Sequence, residues 1–319
     1  MKPPYEITPA ILRLVSSISE KLGEVNAAHL NRPPAELRKK NRISTIQSSL
    51  EIEGNTLSVD QITALLNNER VLAPKKDIVE VQNSIKVYDQ LDLLSANSIS
   101  SFCKVHKLLM SGLINRPGTF RSSEVGIVKG SKVAHLAPKG NMVKGLMKDL
   151  FKYLKFDKEI VLIKSCVFHY ELEFIHPFVD GNGRMGRLWQ TLILMEQYPV
   201  FQFLPIETII KERQQQYYSA LGKSDRTGQS TIFVDFMLTV IEEVLERLLT
   251  TQNVALTSAD RVRLFLEKIK ESVFTRQDYL RHFKEISPPT ASRDLKLAVE
   301  SNRIVKHGDK RTTKYQSKK

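Results

Sequence analysis

Along most of the chain, apolar residues recur three and four positions apart, the spacing that lays one hydrophobic stripe along a helix. ITPAILRLVSSISEKLGEV (7–25) shows it after a Thr-Pro start, the pairing expected of an N-cap and a first helical position. RISTIQSSLEIEGNTLSVDQITALL (42–66) predicts a helix, a Gly-Asn break and a Ser-capped second helix. KKDIVEVQNSIKVYDQLDLL (75–94), SISSFCKVHKLLMSGLI (98–114) and MVKGLMKDLFKYLKF (142–156) add three more amphipathic helices. In EIVLIKSCVFHYELEFI (159–175) the apolar positions run around most of the circumference, which marks a buried helix. LWQTLILMEQYPV (188–200) is a second apolar helix, ended before Pro199. IETIIKERQQQYYSALGKS (206–224) and STIFVDFMLTVIEEVLERLLTTQ (230–252) continue the helical pattern.

Two regions depart from it. Residues 116–140 are rich in Gly, Ser and Pro, with β-favouring runs EVGIV and KVAHL around Lys129-Gly130-Ser131, a short hairpin. After a linker-like TTQNVALTS (250–258), residues 259–319 hold three short helical patterns and then RIVKH and TTKYQ around Gly308-Asp309-Lys310. Three helices and a β-ribbon predict a winged helix-turn-helix, with Ser287 capping a third helix begun by Pro288-Pro289. The expected fold class is therefore mainly α, with one hairpin in the central region and a small C-terminal module.

Composition narrows the class. The 319 residues are 41% hydrophobic and 26% charged, a balance that folds, and the length suggests two or three domains. No apolar run approaches the ~20 residues of a membrane span. The N-terminal stretch lacks a signal-peptide core, so a cytoplasmic protein with no membrane contact is expected. Cys103 and Cys166 lie far apart in apolar helical settings, which fits a reducing compartment. Neither a CxxC nor an HExxH motif is present, so neither structural zinc nor a zincin is expected. The net charge is +13, and residues 259–319 carry 16 Lys/Arg against 8 Asp/Glu, most of the excess. That asymmetry suggests an anionic partner.

Between the two apolar helices lies HPFVDGNGRMGR, residues 176–187. Gly181, Asn182 and Gly183 can turn several amides inward, forming a nest for phosphate at the start of the second helix. Arg184 and Arg187, three apart, share roughly one helix face and can fork onto phosphate oxygens. Asp180 is a hard oxygen ligand suited to Mg²⁺ bridging phosphates. His176, at the end of the buried helix, can act as a general base near neutral pH. Together these are the parts for passing a phosphate-containing group to a hydroxyl.

HPFVDGNGRMGR resembles the Fic-domain signature HxFx(D/E)GNGRxxR with every defining position filled, and the resemblance extends from about Ile43 to Glu242. It implies a helical Fic fold with the hairpin as its flap, and protein adenylyltransfer from ATP to a Ser, Thr or Tyr hydroxyl. His176 would deprotonate that hydroxyl, Asp180 would hold Mg²⁺, and residues 181–184 would bind the α- and β-phosphates, with Asn182 near the α-phosphate. Arg187 would meet the γ-phosphate, and Met185 and Gly186 complete the nucleotide-binding stretch. Phe178 would anchor the loop in the core. Gly183 stands where Doc-type kinases carry Lys, and His176 and Arg187 are both kept, unlike in degenerate members.

SSLEIEGN (48–55) resembles the family's inhibitory motif (S/T)xxxE(G/N), with Ser49 and then Glu53-Gly54, in the N-terminal inhibitory-helix subclass. Glu53 can pair bidentately with Arg187 and take the γ-phosphate position. The resemblance divides the chain into N-terminal helices with the inhibitory motif (1–90), a catalytic core (91–250) and the winged helix (259–319). It places Val125 to Val128 on the ATP and target cleft, where a target segment adds as a strand. Tyr217 and Tyr218 fall where the family places its adenine pocket, and Asp225 is a further candidate for the base or ribose. His169, two turns before His176, reads as packing with a satisfied hydrogen bond.

In the C-terminal module, Thr290, Ser292, Arg293 and Lys296 fall on the early turns of the third helix, and Arg303, Lys306, Lys310, Arg311 and Lys314 on the wing. DNA is a candidate partner for them, against an equal alternative of protein contacts. Besides the adenylyltransferase, two readings stand: a nucleotide-sensing DNA-binding regulator, and a Fic enzyme that removes AMP or uses another donor. ATP, a protein substrate, self-modification and a homodimer are the expected partners.

Overall fold

A computed structural model describes residues 3–28, 30–124, 126–129, 132–252, 257–269, 273–283, 286–309 and 313–317, with backbone alone over 126–129, 132–136 and at 252. The chain divides into two compact units, Met1–Leu249 and Thr250–Lys319. The fold class expected of the first unit is the one observed: helices throughout, with one small antiparallel hairpin.

The first unit opens with α1 (Pro9–Ala27), where the Thr8 side chain accepts from the Ile11 amide. α2 (Ala35–Ile52) stops at Glu53, and Gly54 turns the chain at φ +92°. α3 (Val59–Leu66) starts on a Ser58–Gln61 capping box. α4 (Lys75–Tyr88) and α5 (Ile99–Leu109) follow. Strands β1 (Gly126–Lys129) and β2 (Lys132–Leu136) pair Gly126 with Leu136 and Ile127 with His135, then shift register to Val128–Val133. α6 (Gly140–Phe156), α7 (Val161–Ile175), α8 (Asn182–Met195), α9 (Ile206–Glu212), α10 (Gln214–Thr227) and α11 (Thr231–Gln252) complete the unit.

One hydrophobic cluster joins α1 and α5 through α11. Phe102 is at its centre, edge-on to Phe151 and Trp189 and stacked on Phe178. A smaller cluster of Ile43, Ile46, Leu50, Leu57, Ile62 and Val81 holds α2, α3 and α4 together. α7 and α8 pack closely because Gly186 has no side chain: a Cβ there would lie 2.7 Å from His169 Cδ2.

Three expectations need correcting. The loop between the buried helices is shorter than the motif, because α8 begins at Asn182 and Arg184 and Arg187 already sit on its first turns. The helix expected over 206–224 breaks at Arg213 into α9 and α10. The linker expected at 250–258 begins inside α11, which runs to Gln252; residues 253–256 lie outside the described residues.

The second unit contains α12 (Ser258–Ile269), α13 (Arg276–His282), α14 (Pro288–Glu300) and an antiparallel ribbon of β3 (Ile304–His307) and β4 (Lys314–Ser317). Ser287 caps α14, its hydroxyl accepting from the Thr290 amide. Val262, Phe265, Phe274, Tyr279, Leu295 and Ile304 form its core. Asp294 accepts from Arg261 Nε at 2.5 Å, Arg261 Nη2 at 2.9 Å and the Tyr279 hydroxyl at 3.1 Å. Among the described residues no helix is long and apolar enough to cross a membrane.

Candidate active site

The site is built where α7 ends and α8 begins. His176 terminates α7 in the left-handed region (φ 49°, ψ 63°), an uncommon conformation for a residue with a side chain. The chain then runs through Pro177 and Phe178 to Gly181 (φ 84°), and α8 starts. Phe178 is buried against Phe102 and Phe120 and lies 3.5 Å, ring to ring, from His106. That anchor keeps the loop short and aims the first amides of α8 at one spot, the geometry of an anion site.

Asn182 locks the loop from within. Its Oδ1 accepts from the Phe178 amide and its Nδ2 donates to the Phe178 carbonyl, both at 2.9 Å. Its side chain is therefore committed to the loop, while its backbone N–H belongs to the first turn of α8. Met185 and Gly186 differ from expectation. Met185 is buried in the hydrophobic core, and Gly186 serves the α7–α8 packing.

The two arginines meet different carboxylates. Arg184 Nη1 donates to Glu80 Oε1 at 3.1 Å, and its Nη2 to Asp180 Oδ1 at 3.3 Å. Glu80 also accepts from Asn55 Nδ2 at 2.8 Å, so α4 fastens both Arg184 and the turn after Gly54. Arg187 Nε donates to Ser49 Oγ at 3.2 Å, while its Nη2 donates to the Ser49 carbonyl at 2.9 Å and to Glu53 Oε1 at 2.7 Å. The pairing with Glu53 thus uses one carboxylate oxygen rather than the expected two, and the Nη2 that makes it is shared with the Ser49 carbonyl. Burial alone would weaken the Arg187 charge, but the Glu53 carboxylate outweighs it and holds the group firmly protonated.

Glu53 lies over the amide nest: a Cβ on Gly183 would sit 2.5 Å from Glu53 Oε1 and 3.1 Å from Arg187 Nη1. Gly183 therefore leaves room for an acidic oxygen against the start of α8. Arg187 offers that oxygen its counter-charge.

Asp180 is 51% exposed at its side chain, and its Oδ1 accepts from the Gly181 amide at 2.6 Å. Among the described residues no group of three or more His, Cys, Asp or Glu could hold a metal ion. One carboxylate beside an anion nest suits Mg²⁺ carried in with phosphates, which typically uses one or two protein oxygens.

The candidate base-pocket residues separate. Tyr217 is 1% exposed, packed on Phe233, with its hydroxyl 3.1 Å from His169 Nε2. It belongs to the core and offers no face to a nucleotide, a correction to its expected role. Tyr218 is half-buried beside it. Asp225 accepts from the Tyr170 hydroxyl at 3.0 Å. His169 is 2.6 Å from Gln190 Oε1, and burial lowers its pKa to about 3, so it stays neutral. Val128 lies in β1, and Val125 lies outside the described residues, as do Lys310 and Arg311.

Three supporting residues have no motif to announce them. His106 is buried; the Gly118 amide donates to its Nδ1 at 2.8 Å, which makes Nε2 the protonated nitrogen facing the Asp180 carbonyl at 2.9 Å. Burial lowers its pKa to about 4, so it remains a neutral donor under the nest. Glu80 and Arg121 are the other two. Nearby, Glu207 on α9 is fully buried, with Tyr88 approaching it without reaching hydrogen-bond geometry; burial raises its pKa to about 7.

Comparison with known proteins agrees with this geometry. The Fic/DOC family model matches residues 97–194. Protein adenylyltransferase fic-1 of Caenorhabditis elegans is 24% identical over 263 residues, covering 78% of this chain and 49% of its own. A probable protein adenylyltransferase of Aquifex aeolicus is 28% identical over 184 residues, covering 56% and 53%. The chain spans about half the length of these relatives. A Fic family protein from Desulfovibrio desulfuricans G20 superposes with a TM-score of 0.76 at 38% identity, covering 100% of this chain and 98% of that one. Residues 134–508 of Caenorhabditis elegans Fic-1 share the fold, with a TM-score of 0.60 at 21% identity, covering 76% of this chain and 75% of that one.

Proposed function

Because the chain belongs to the Fic family, we propose that it is a protein adenylyltransferase restrained by Glu53. ATP would lie with its phosphates on the 181–184 amides, and Arg187 would meet the terminal phosphate. A target Ser, Thr or Tyr hydroxyl, on another protein or on this one, would attack the α-phosphorus. His176 would take the hydroxyl proton as the new P–O bond forms and the bond to the β-phosphate breaks, so pyrophosphate leaves. Asp180 would hold Mg²⁺ with the phosphates, and the ion would supply charge neutralisation. The hairpin at 126–136 would receive the target segment by strand addition, and Tyr218 would face the base.

The observation that carries this reading is the Glu53 carboxylate on Arg187 directly above Gly183. An anion already stands where a phosphate would. A triphosphate then binds with its end displaced, and in-line attack fails. The test uses labelled ATP and Mg²⁺ with wild type, Glu53→Gly and Glu53→Gly/His176→Ala. Strong labelling of the single variant alone is expected. Equal labelling in all three would remove His176 from the chemistry and Glu53 from the restraint.

A second reading concerns the C-terminal unit, which we take for a winged helix-turn-helix that binds DNA. Its support is exposed Arg293 and Lys296 on one helix, with exposed Arg303, Lys306 and Lys314 on and beside the ribbon. Binding should fall steeply with salt. No binding of duplex DNA at low salt would exclude it.

A further inference from the structure

Arg121 is 4% exposed, and among the described residues no carboxylate pairs with it. Its guanidinium is instead spent on four carbonyls. Nε donates to His176 at 2.7 Å and Nη2 to Ile175 at 3.0 Å, the last turn of α7. Those carbonyls lack helical partners and carry the negative end of the helix dipole, so a cation suits them. Nη1 donates to Ser123 at 2.7 Å, ahead of β1, and Nη2 also to Pro138 at 2.7 Å, just after β2. The backbone joins in, with the Arg121 amide donating to the Pro177 carbonyl at 2.9 Å. The hairpin stems themselves are pressed together: a Cβ on Gly140 would lie 2.1 Å from the Ser122 carbonyl oxygen. One side chain therefore fixes both stems of the hairpin and the strained turn that presents His176.

We propose that Arg121 is a positioning residue that couples the hairpin to His176, so that a target strand docked on the hairpin sets the imidazole for proton transfer. The inference rests on the adenylyltransferase reading. Strand addition would load the stems, and the stems reach the His176 carbonyl through a single rigid plane of donors. Nothing in this linkage touches the phosphate site. Loss of Arg121 should therefore lower turnover and leave nucleotide binding alone. Lysine, with one point donor for a planar fork, can hold only part of the arrangement.

The test is made in the full chain with Glu53→Gly present, adding Arg121→Met or Arg121→Lys. Self-labelling should slow roughly 10–100-fold with Met, the cost expected of a misplaced catalytic group, and recover in part with Lys. Affinity for a fluorescent ATP analogue should stay within about twofold, since the phosphate contacts are untouched. Two readouts need no turnover: hydrogen exchange of the 126–136 amides and carbethoxylation of His176 should both accelerate in the Met variant. Turnover within twofold of the parent, or acceleration of one readout without the other, would overturn the coupling. If Met prevents folding, the Lys variant is read by the same two probes. Absence of labelling in the Glu53→Gly parent would instead sink the adenylyltransferase reading, and the two probes would still decide whether hairpin and histidine are linked.

Discussion

Two arginine–carboxylate pairs, one in each unit, look alike as chemistry and differ in what surrounds them. Asp294 is 0% exposed and accepts from Arg261 Nε and Nη2 and from the Tyr279 hydroxyl. Glu53 is 29% exposed and accepts one bond from Arg187, at the C-terminal cap of α2 just before a positive-φ glycine. Arg187 keeps two bonds to Ser49 whether or not Glu53 stays. The first carboxylate is a strut: its removal takes the shared acceptor from a guanidinium and a hydroxyl together. The second is a plug, and any anion of suitable shape can take its place without leaving the arginine bare. Burial and the number of bonds decide the difference, not the identity of the pair.

The strongest way to break this comparison is Asp294→Ala. It should destabilise the second unit by about 3–5 kcal/mol, the cost of removing one partner from a buried ion pair, read by hydrogen exchange of the α12–α14 amides. A loss under about 1 kcal/mol would make the strut a surface pair.

Glu207→Gln tests the opposite case, a buried carboxyl that receives no bond from Arg187 and sits near neutral pKa. Its folded pKa is raised above the unfolded value, so its stabilising share is full below pH ~4.5 and disappears as pH rises through about 7. Wild type should therefore lose about 3 kcal/mol relative to the Gln variant between pH ~4.5 and ~8, measured by chemical denaturation. A gap that does not change with pH would mean the carboxyl is ionised in the fold.

Glu53→Gln should cost less, about 1–2 kcal/mol, because Ser49 still holds Arg187. Added ATP should return that loss by mass action, and the thermal shift with ATP should exceed that of wild type. Equal shifts would argue against a plug. Gly183→Ala is the smallest change in stability, under about 1 kcal/mol, since the crowded atom is the end of a flexible side chain. It should expel Glu53 and yet weaken nucleotide binding, because the new methyl fills the cradle. Glu53→Gly should do the reverse on binding, and titration of both variants with the ATP analogue separates them.

Much of the fold could be read along the chain because its helices repeat locally. The Thr8 and Ser58 caps, the Gly54 break and the pairing of β1 with β2 in the first unit, and the Ser287 cap in the second, all follow from short-range geometry. The reach of the loop was overestimated because the whole 176–187 motif lies between two apolar runs, although the nest at 181–183 and the shared face of Arg184 and Arg187 already implied the helix start that the Asn182–Phe178 clamp secures. Tyr217 was misjudged for a related reason. A tyrosine at helical spacing has the same pattern whether it lines a pocket or reaches a buried histidine.

The sequence alone determined the helices, the twelve-residue constellation at 176–187 and the presence of an acidic residue able to oppose it. Local spacing and side-chain chemistry suffice for these. The motif already paired Glu53 with Arg187, 134 residues apart; only the tertiary structure decided that they meet over Gly183 through one carboxylate oxygen, with Ser49 sharing the guanidinium, while Arg184 turns to Glu80, 104 residues away. His106 and Arg121 acquire their roles in the same way, through carbonyls and amides that every residue carries. No residue pattern marks such partners, because backbone acceptors are common to the whole chain and packing alone selects which ones a buried side chain reaches.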